Sequence, residues 1–207
     1  QEIKNHEAVI IVTGDTFHHK NKIESPGIYL FNYLISGLSS LAPIYIILGN
    51  HDFRQDQSVN IDFLDAFLLS CPNSNSNVEY LDKTGHYCSC NLIFGVFDVR
   101  DSLFLGNGSG VAENMEPFPQ PIHNDETSIN SINIALFHGT MMNSRINDNR
   151  ILSHGYSWEW LDIGYDYALL GDIHKFQLFE RKSGLVAGYA GSLVQQNYGE
   201  TLKNHGF

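Results

Sequence analysis

The sequence predicts an α/β protein whose chemistry gathers at the ends of its strands. Two observations carry that prediction. Short β-branched runs alternate with stretches whose apolar residues recur at helical spacing. Four of the apolar runs end on Gly or Phe with a metal-capable side chain directly after: Asp15, Asn50, His138, and Asp172 followed by His174. In α/β sheets, ligands collect beyond the carboxyl ends of the strands, where loops converge. A chain of 207 residues with 43% hydrophobic content is long enough to bury a substantial core as one domain, 1–207.

The elements follow in order. Ala8 to Val12 is a short β-branched run bounded by Thr-Gly and reads as a buried strand. Ser25-Pro26 predicts a helix start, with Ser as N-cap and Pro at the first helical position. Phe31, Leu34, Ile35, Leu38 and Leu41 then mark its apolar face before Pro43. Ile44 to Leu48 is a second buried strand, ending on Gly49-Asn50-His51-Asp52. Ser58 is placed to cap a second helix that puts Ile61, Leu64 and Leu68 on one face. From Val78 onward strands dominate: Leu92 to Phe97, Ile132 to Phe137, Tyr167 to Leu170, and strands with Gly-rich turns over 176–198. Residues 106–131, rich in Gly, Asn, Pro and Ser, read as a long loop, and such a loop in a compact domain is either functional or mobile.

Composition narrows the classes. The formal charge of −11 opposes nonspecific attraction to nucleic acid, so a nucleic-acid role must rest on a local site, a dimer or a partner. No apolar run reaches the roughly 18 to 20 residues that span a bilayer, and no signal sequence opens the chain. Cys71, Cys88 and Cys90 make no disulfide framework and point to a reducing compartment, cytoplasmic or nuclear. Cys88-Ser-Cys90 reads as two side chains on one face of a strand rather than a soft-metal site. Asn107-Gly108-Ser109 fits a plain turn better than a glycosylation acceptor in that context.

Singly, each strand-end motif is weak, because Gly-Asp after a strand is often a turn and His after a strand is often a core or capping residue. Four together in one short chain point to a metal. Carboxylates, an amide oxygen and imidazoles form a hard-to-borderline donor set suited to Mn, Fe or Zn rather than a thiolate site. A carboxylate can bridge two ions about 3.5–4 Å apart, the spacing that clamps attacking and leaving oxygens in phosphoester cleavage.

The segments "GDTFH", "GNHD", "FHG" and "GDIH" resemble, in order and spacing, the motifs of the calcineurin-like metallophosphoesterases. Within that superfamily the chain looks most like SbcD-type double-strand-break repair nucleases and their phage and viral relatives. In "GDTFHHKNK" a His stands three residues after the Asp, where protein phosphatases carry an Asp, and Asp52 stands where they tend to carry Glu. The tail "YAGSLVQQNYGE" with "HGF" resembles the nuclease segment after the last metal motif. The resemblance implies two stacked, mostly β sheets flanked by helices (α-β-β-α) with a dinuclear site at the strand ends.

It also implies roles. Asp15 would bridge both ions, Asn50, His138 and Asp172 would complete the second, and His174 would bind the first. His51 would stabilise the transition state or protonate the leaving oxygen, with His18 assisting on the same face. Asp52 would either orient His51 or cap the next helix. His19, His86, His123, His154 and His205 carry no motif and read as surface or core histidines. Two departures stand out. Asp172 replaces the first His of the usual Gly-His-x-His, which hardens the site and shifts metal preference toward Mn or Mg. No Asp-x-His precedes Asp15, so the first ion has only Asp15 and His174 as protein ligands. The chain therefore reads as an internal fragment, truncated at both ends, with its first strand upstream and a DNA-capping region beyond Phe207.

The resulting expectation is a Mn-dependent DNA exo- or endonuclease using two divalent ions (Mn, with Mg, Fe or Zn possible) in DNA repair, recombination or replication. By resemblance its partners are DNA, a second copy docking through helices near 26–41 and 59–70, and an SMC-like ATPase, with no membrane. The alternatives are a metallophosphoesterase acting on small phosphodiesters or phosphoproteins, and a non-catalytic scaffold that lost its first metal site.

Overall fold

The structure is a computed structural model that describes residues 8–17, 24–53, 62–70, 77–104, 118–122, 131–147 and 150–193. The chain divides into two compact units, residues 1–82 and 83–207.

The first unit contains β1 (Ile10–Val12), α1 (Ser25–Ser39), β2 (Ile44–Ile46), α2 (Phe63–Ser70) and β3 (Val78–Tyr80). The strands form a parallel sheet in the order β1-β2-β3, with Ile10 opposite Ile44 and Ile44 opposite Val78. β2 lies at its centre and is buried at every position, as its unbroken apolar sequence requires in a parallel sheet.

Both helix starts differ from the sequence expectation. In α1 the cap position belongs to Glu24, which makes no side-chain cap bond, and Ser25 and Pro26 lie inside the first turn. α1 buries Phe31 and Ile35, whereas Leu34 and Leu41 are exposed, so the buried stripe is narrower than the apolar one. α2 begins at Phe63, capped by Asp62, whose Oδ1 accepts the Asp65 N–H at 2.9 Å. Its other oxygen accepts the Tyr80 hydroxyl at 2.6 Å, tying the start of α2 to β3. Ser58 and Ile61 lie outside the described residues. Phe31, Phe63 and Phe67 form an aromatic cluster between the helices, and Phe17, from the loop after β1, joins it with its ring centroid 4.1 Å from that of Phe63.

The second unit contains β4 (Gly85–Ser89), β5 (Leu92–Phe97), α3 (Val99–Phe104), β6 (Ile132–His138), β7 (Arg145–Asn147), β8 (Arg150–Ile151), β9 (Tyr167–Gly171), β10 (Gln177–Glu180) and β11 (Val186–Tyr189). Its main sheet has the order β10-β11-β9-β6-β5-β4, parallel through β5, β6, β9 and β11, with antiparallel pairs at both ends. The core against this sheet includes Phe97, Ala135, Phe137, Met141, Trp158, Leu161 and Tyr189.

Within the expected long loop, residues 118–122 are anchored to this core. Phe118 is buried against Phe97 and Phe137, Ile122 donates its N–H to Asn133 Oδ1 at 3.1 Å, and Pro119 accepts the Tyr165 hydroxyl. The remainder of the loop, apart from Ser131, lies outside the described residues. Of Cys88 and Cys90, Cys88 alone stands on a strand. Cys90 occupies the two-residue turn between β4 and β5 with φ 52°, so the two cysteines do not share a strand face. His86 is exposed and bonds the Gln120 carbonyl through Nε2 at 2.7 Å, and His154 is exposed. No helix among the described residues is long and apolar enough to cross a membrane.

Candidate metal centre

In the first unit, parallel pairing sets the loops after β1 and β2 side by side. Ile47 donates its N–H to the Val12 carbonyl at 3.0 Å, carrying the contact past the paired strands. The β1 loop then turns through two successive left-handed residues, Gly14 (φ 88°) and Asp15 (φ 53°). For a residue with a Cβ this region is sterically disfavoured, and Asp tolerates it better than most. The turn aims Asp15 at the neighbouring loop, where its Oδ1 accepts the His51 N–H at 2.9 Å. Gly49 makes the approach feasible, since a Cβ there would lie 1.9 Å from the Asp15 nitrogen.

Asp52 holds both loops at once. Its carboxylate is buried, with Oδ2 accepting the Gly49 N–H at 2.9 Å and Oδ1 the Phe17 N–H at 3.0 Å. The side-chain cap of α2 is Asp62, while Asp52 meets the start of that helix through its backbone carbonyl, which accepts the Phe63 N–H at 3.4 Å. Charge-assisted bonds from two backbone amides stabilise a buried carboxylate that would otherwise be costly. Asn50 lies within this braced turn. Its Oδ1 is buried and has no hydrogen-bond partner among the described residues, and the same is true of Thr16 Oγ1 beside Asp15. Native proteins rarely leave buried oxygens so, and a bound cation or water is the ordinary explanation.

In the second unit the registers do the equivalent work. His138, the last residue of β6, pairs opposite Gly171, the last of β9, which places His138 and Asp172 at adjoining strand ends. Asp172 also adopts a left-handed conformation, φ 88°. The two sequence-predicted carboxylate ligands are thus two of the four non-glycine residues with positive φ among those described, and such strain concentrates at functional sites. His138 is buried, and its Nε2 lies 4.0 Å from Asp172 Oδ1, too far for a hydrogen bond. Asp172 Oδ2 accepts the Thr140 hydroxyl at 2.5 Å. His174, two residues on, is exposed, and its carbonyl accepts the Ser192 N–H at 3.1 Å.

The loop after His138 is held from below by Tyr189. Its hydroxyl donates to the Gly139 carbonyl at 2.9 Å and accepts the Met141 N–H at 2.9 Å. Burial pushes the Tyr189 phenol above its ordinary pKa, so it stays protonated and keeps donating.

The structure therefore assembles Asp15, Asn50, His51 and Asp52 in the first unit, and His138 with Asp172 in the second. His18 lies outside the described residues. Among the described residues no three His, Cys, Asp or Glu side chains gather as a metal cluster. Each unit still offers hard-to-borderline donors of the kind a divalent ion takes: a buried amide oxygen and a carboxylate on a strained turn in the first, a buried imidazole facing such a carboxylate in the second. Sequence reasoning missed Phe17, Thr140 and Tyr189. Phe17, inside "GDTFH", was open to recognition as an apolar anchor in a polar loop. Thr140 and Tyr189 carry no local signal, because their partners lie 32 and 48 to 50 residues away.

Comparison with known proteins shows the family. Residues 1–176 match the calcineurin-like phosphoesterase family. Over 211 aligned residues the chain is 30% identical to uncharacterized protein R555 of Acanthamoeba polyphaga mimivirus, an alignment that covers 99% of this chain and 14% of that protein. The chain thus spans a small part of the relative it matches. Strand ends that carry Asp, Asn and His offer hard-to-borderline donors suited to the divalent metals that calcineurin-like phosphoesterases use. The chain belongs to the calcineurin-like phosphoesterase family.

Proposed function

We propose that this chain is a metal-dependent DNA nuclease domain, closest in kind to the SbcD-type repair nucleases, that hydrolyses phosphodiester bonds. The observation that carries the hydrolase reading is Asn50 Oδ1, a buried oxygen without a hydrogen-bond partner among the described residues, on a turn braced to the Asp15 loop. His18 in "GDTFH", and Asp52 in "GNHD", favour nucleic acid over phosphoprotein as substrate.

Asp15, Asn50, His138 and Asp172 would hold one divalent ion, and Asp15 with His174 the other, Mn being the best fit to the harder, Asp-containing set. When bound, the ions supply positive charge that activates a water and offsets charge developing on the phosphoryl oxygens. The residues do the rest. Asp52 and Gly49 fix the spacing of the Asp15 and Asn50 loops. The His51 backbone, tied to Asp15, fixes where its imidazole begins, and that ring would protonate the leaving oxygen with His18 assisting.

The formal charge of −11 means that a partner would help hold DNA. A second copy is supported by α1, where Tyr29, Leu30 and Tyr33 are 68%, 63% and 73% exposed, an apolar face of the kind that marks an interface. An SMC-like ATPase would be a further partner, and the three cysteines favour a reducing compartment.

The same negative charge favours a second reading, hydrolysis of small phosphodiesters. With Mn, cleavage of linear duplex DNA and of a chromogenic phosphodiester is expected, with DNA preferred at least about tenfold in kcat/KM, a difference of about 1.4 kcal/mol. Hydrolysis of the chromogenic diester alone would assign the small-substrate role. Hydrolysis of neither, with Mn binding intact, would leave the scaffold reading.

A further inference from the structure

We infer that Thr140 is a positioning residue that makes Asp172 a one-oxygen metal ligand and thereby sets metal preference. The inference rests on the metal reading above. Its basis is the division of labour on the Asp172 carboxylate: Oδ2 accepts the Thr140 hydroxyl at 2.5 Å, while Oδ1 is the oxygen 4.0 Å from His138 Nε2. A carboxylate left to itself can rotate and offer both oxygens to one cation, and two-oxygen chelation suits the larger Ca²⁺. With one oxygen engaged by a hydroxyl, Asp172 presents the other beside the imidazole, which suits a smaller ion with mixed nitrogen and oxygen ligands.

Thr140 can impose this because its carbonyl and both of its chain neighbours are tied down. Its carbonyl accepts the Tyr156 N–H at 2.8 Å, and the Met142 N–H returns to the Tyr156 carbonyl at 2.9 Å. Tyr189 spans its two neighbours, Gly139 and Met141. The Trp158 indole donates to the Met142 carbonyl at 2.8 Å. Gly155 lets the opposing chain approach, since a Cβ there would lie 2.5 Å from the Thr140 oxygen. Asp172 needs such a partner, because its left-handed backbone (φ 88°) leaves its side chain on a strained turn. Hydroxyl partners of ligating carboxylates orient them, and removing such outer partners weakens metal binding about 10- to 100-fold.

The test is Mn²⁺ and Ca²⁺ binding to the full chain, followed by electron paramagnetic resonance of free Mn²⁺ and by Ca²⁺ competition, with melting in EDTA as the folding control. In Thr140→Val and Thr140→Ala, Mn²⁺ affinity is expected to fall about 10- to 100-fold and the Mn²⁺/Ca²⁺ affinity ratio about tenfold. Thr140→Ser keeps the hydroxyl and is expected to match the wild type in both. Wild-type Mn²⁺ affinity in Thr140→Val and Thr140→Ala, beside a loss in Asp172→Ala, overturns the role of Thr140 while leaving Asp172 as a ligand. A loss in Thr140→Ser equal to that in Thr140→Val overturns it too, since the hydroxyl would then not matter. Unchanged binding in Asp172→Ala overturns both this inference and the ligand assignment beneath it.

Discussion

Gly49→Ala is expected to disable the site and destabilise the chain together. The new Cβ would lie 1.9 Å from the Asp15 nitrogen, 2.4 Å from its Oδ1 and 2.8 Å from its Cα. Two of those three atoms are backbone, so no rotamer change relieves the clash and the loops after β1 and β2 must part. Overpacking of this kind costs about 3 kcal/mol. For a chain of this size that is about 6–12 °C in melting temperature. Parting the loops also stretches the Asp52 bonds to Gly49 and Phe17 and the His51 bond to Asp15. A displacement near 1 Å in a catalytic constellation lowers rate about 100-fold. Differential scanning calorimetry with Mn-dependent diester hydrolysis checks both effects. A melting temperature and rate equal to wild type would mean that the loops are not in the contact described.

His51→Ala is expected to do the opposite: large loss of rate, little loss of stability. The bond from residue 51 to Asp15 uses the backbone N–H, which Ala keeps. The half-buried imidazole is what disappears. Loss of a general acid lowers the rate about 10²- to 10⁴-fold. Melting should stay within about 2 °C, the scale of a change near 0.5 kcal/mol. Mn²⁺ affinity should also hold, because His51 is not counted among the ligands. Single-turnover rates on a phosphodiester, read beside Mn²⁺ titration, check the assignment. A drop in metal affinity matching the drop in rate would make His51 a ligand instead of the acid.

The contrast between these variants reflects what the sequence could and could not reveal. The strands were legible because runs such as Ile44 to Leu48 are continuously apolar, rich in β-branched residues and too short for a buried helix. The candidate ligand positions stand out because Gly-Asp, Gly-Asn-His-Asp and Phe-His follow apolar runs; the structure puts Asp15 and Asn50 on neighbouring loops of the first unit, and His138 and Asp172 at adjoining strand ends of the second, with strained backbone at both carboxylates. The bracing was not legible. Asp52 grips Phe17, 35 residues away, and Thr140 grips Asp172, 32 residues away, so neither role follows from local spacing. The start of α2 is not fixed by local sequence for a related reason. Ser58 and Asp62 are both acceptable caps by type, and Tyr80, on the strand after the helix, gives Asp62 a second bond. The apolar face of α1 is wider in the sequence than in the fold, because helical periodicity records which residues are apolar, not which of them find neighbours: Phe31 and Ile35 are buried and Leu34 is not.

Equilibrium Mn²⁺ titration of the wild-type chain against Asn50→Ala is the most direct measure of the central claim, that these strand-end loops hold the metal for phosphoester hydrolysis. The wild type should bind Mn²⁺, and truncating the buried amide whose Oδ1 has no hydrogen-bond partner among the described residues should weaken that binding at least about 10- to 100-fold, with melting in EDTA no lower than wild type. Equal Mn²⁺ affinity in the two chains would contradict it.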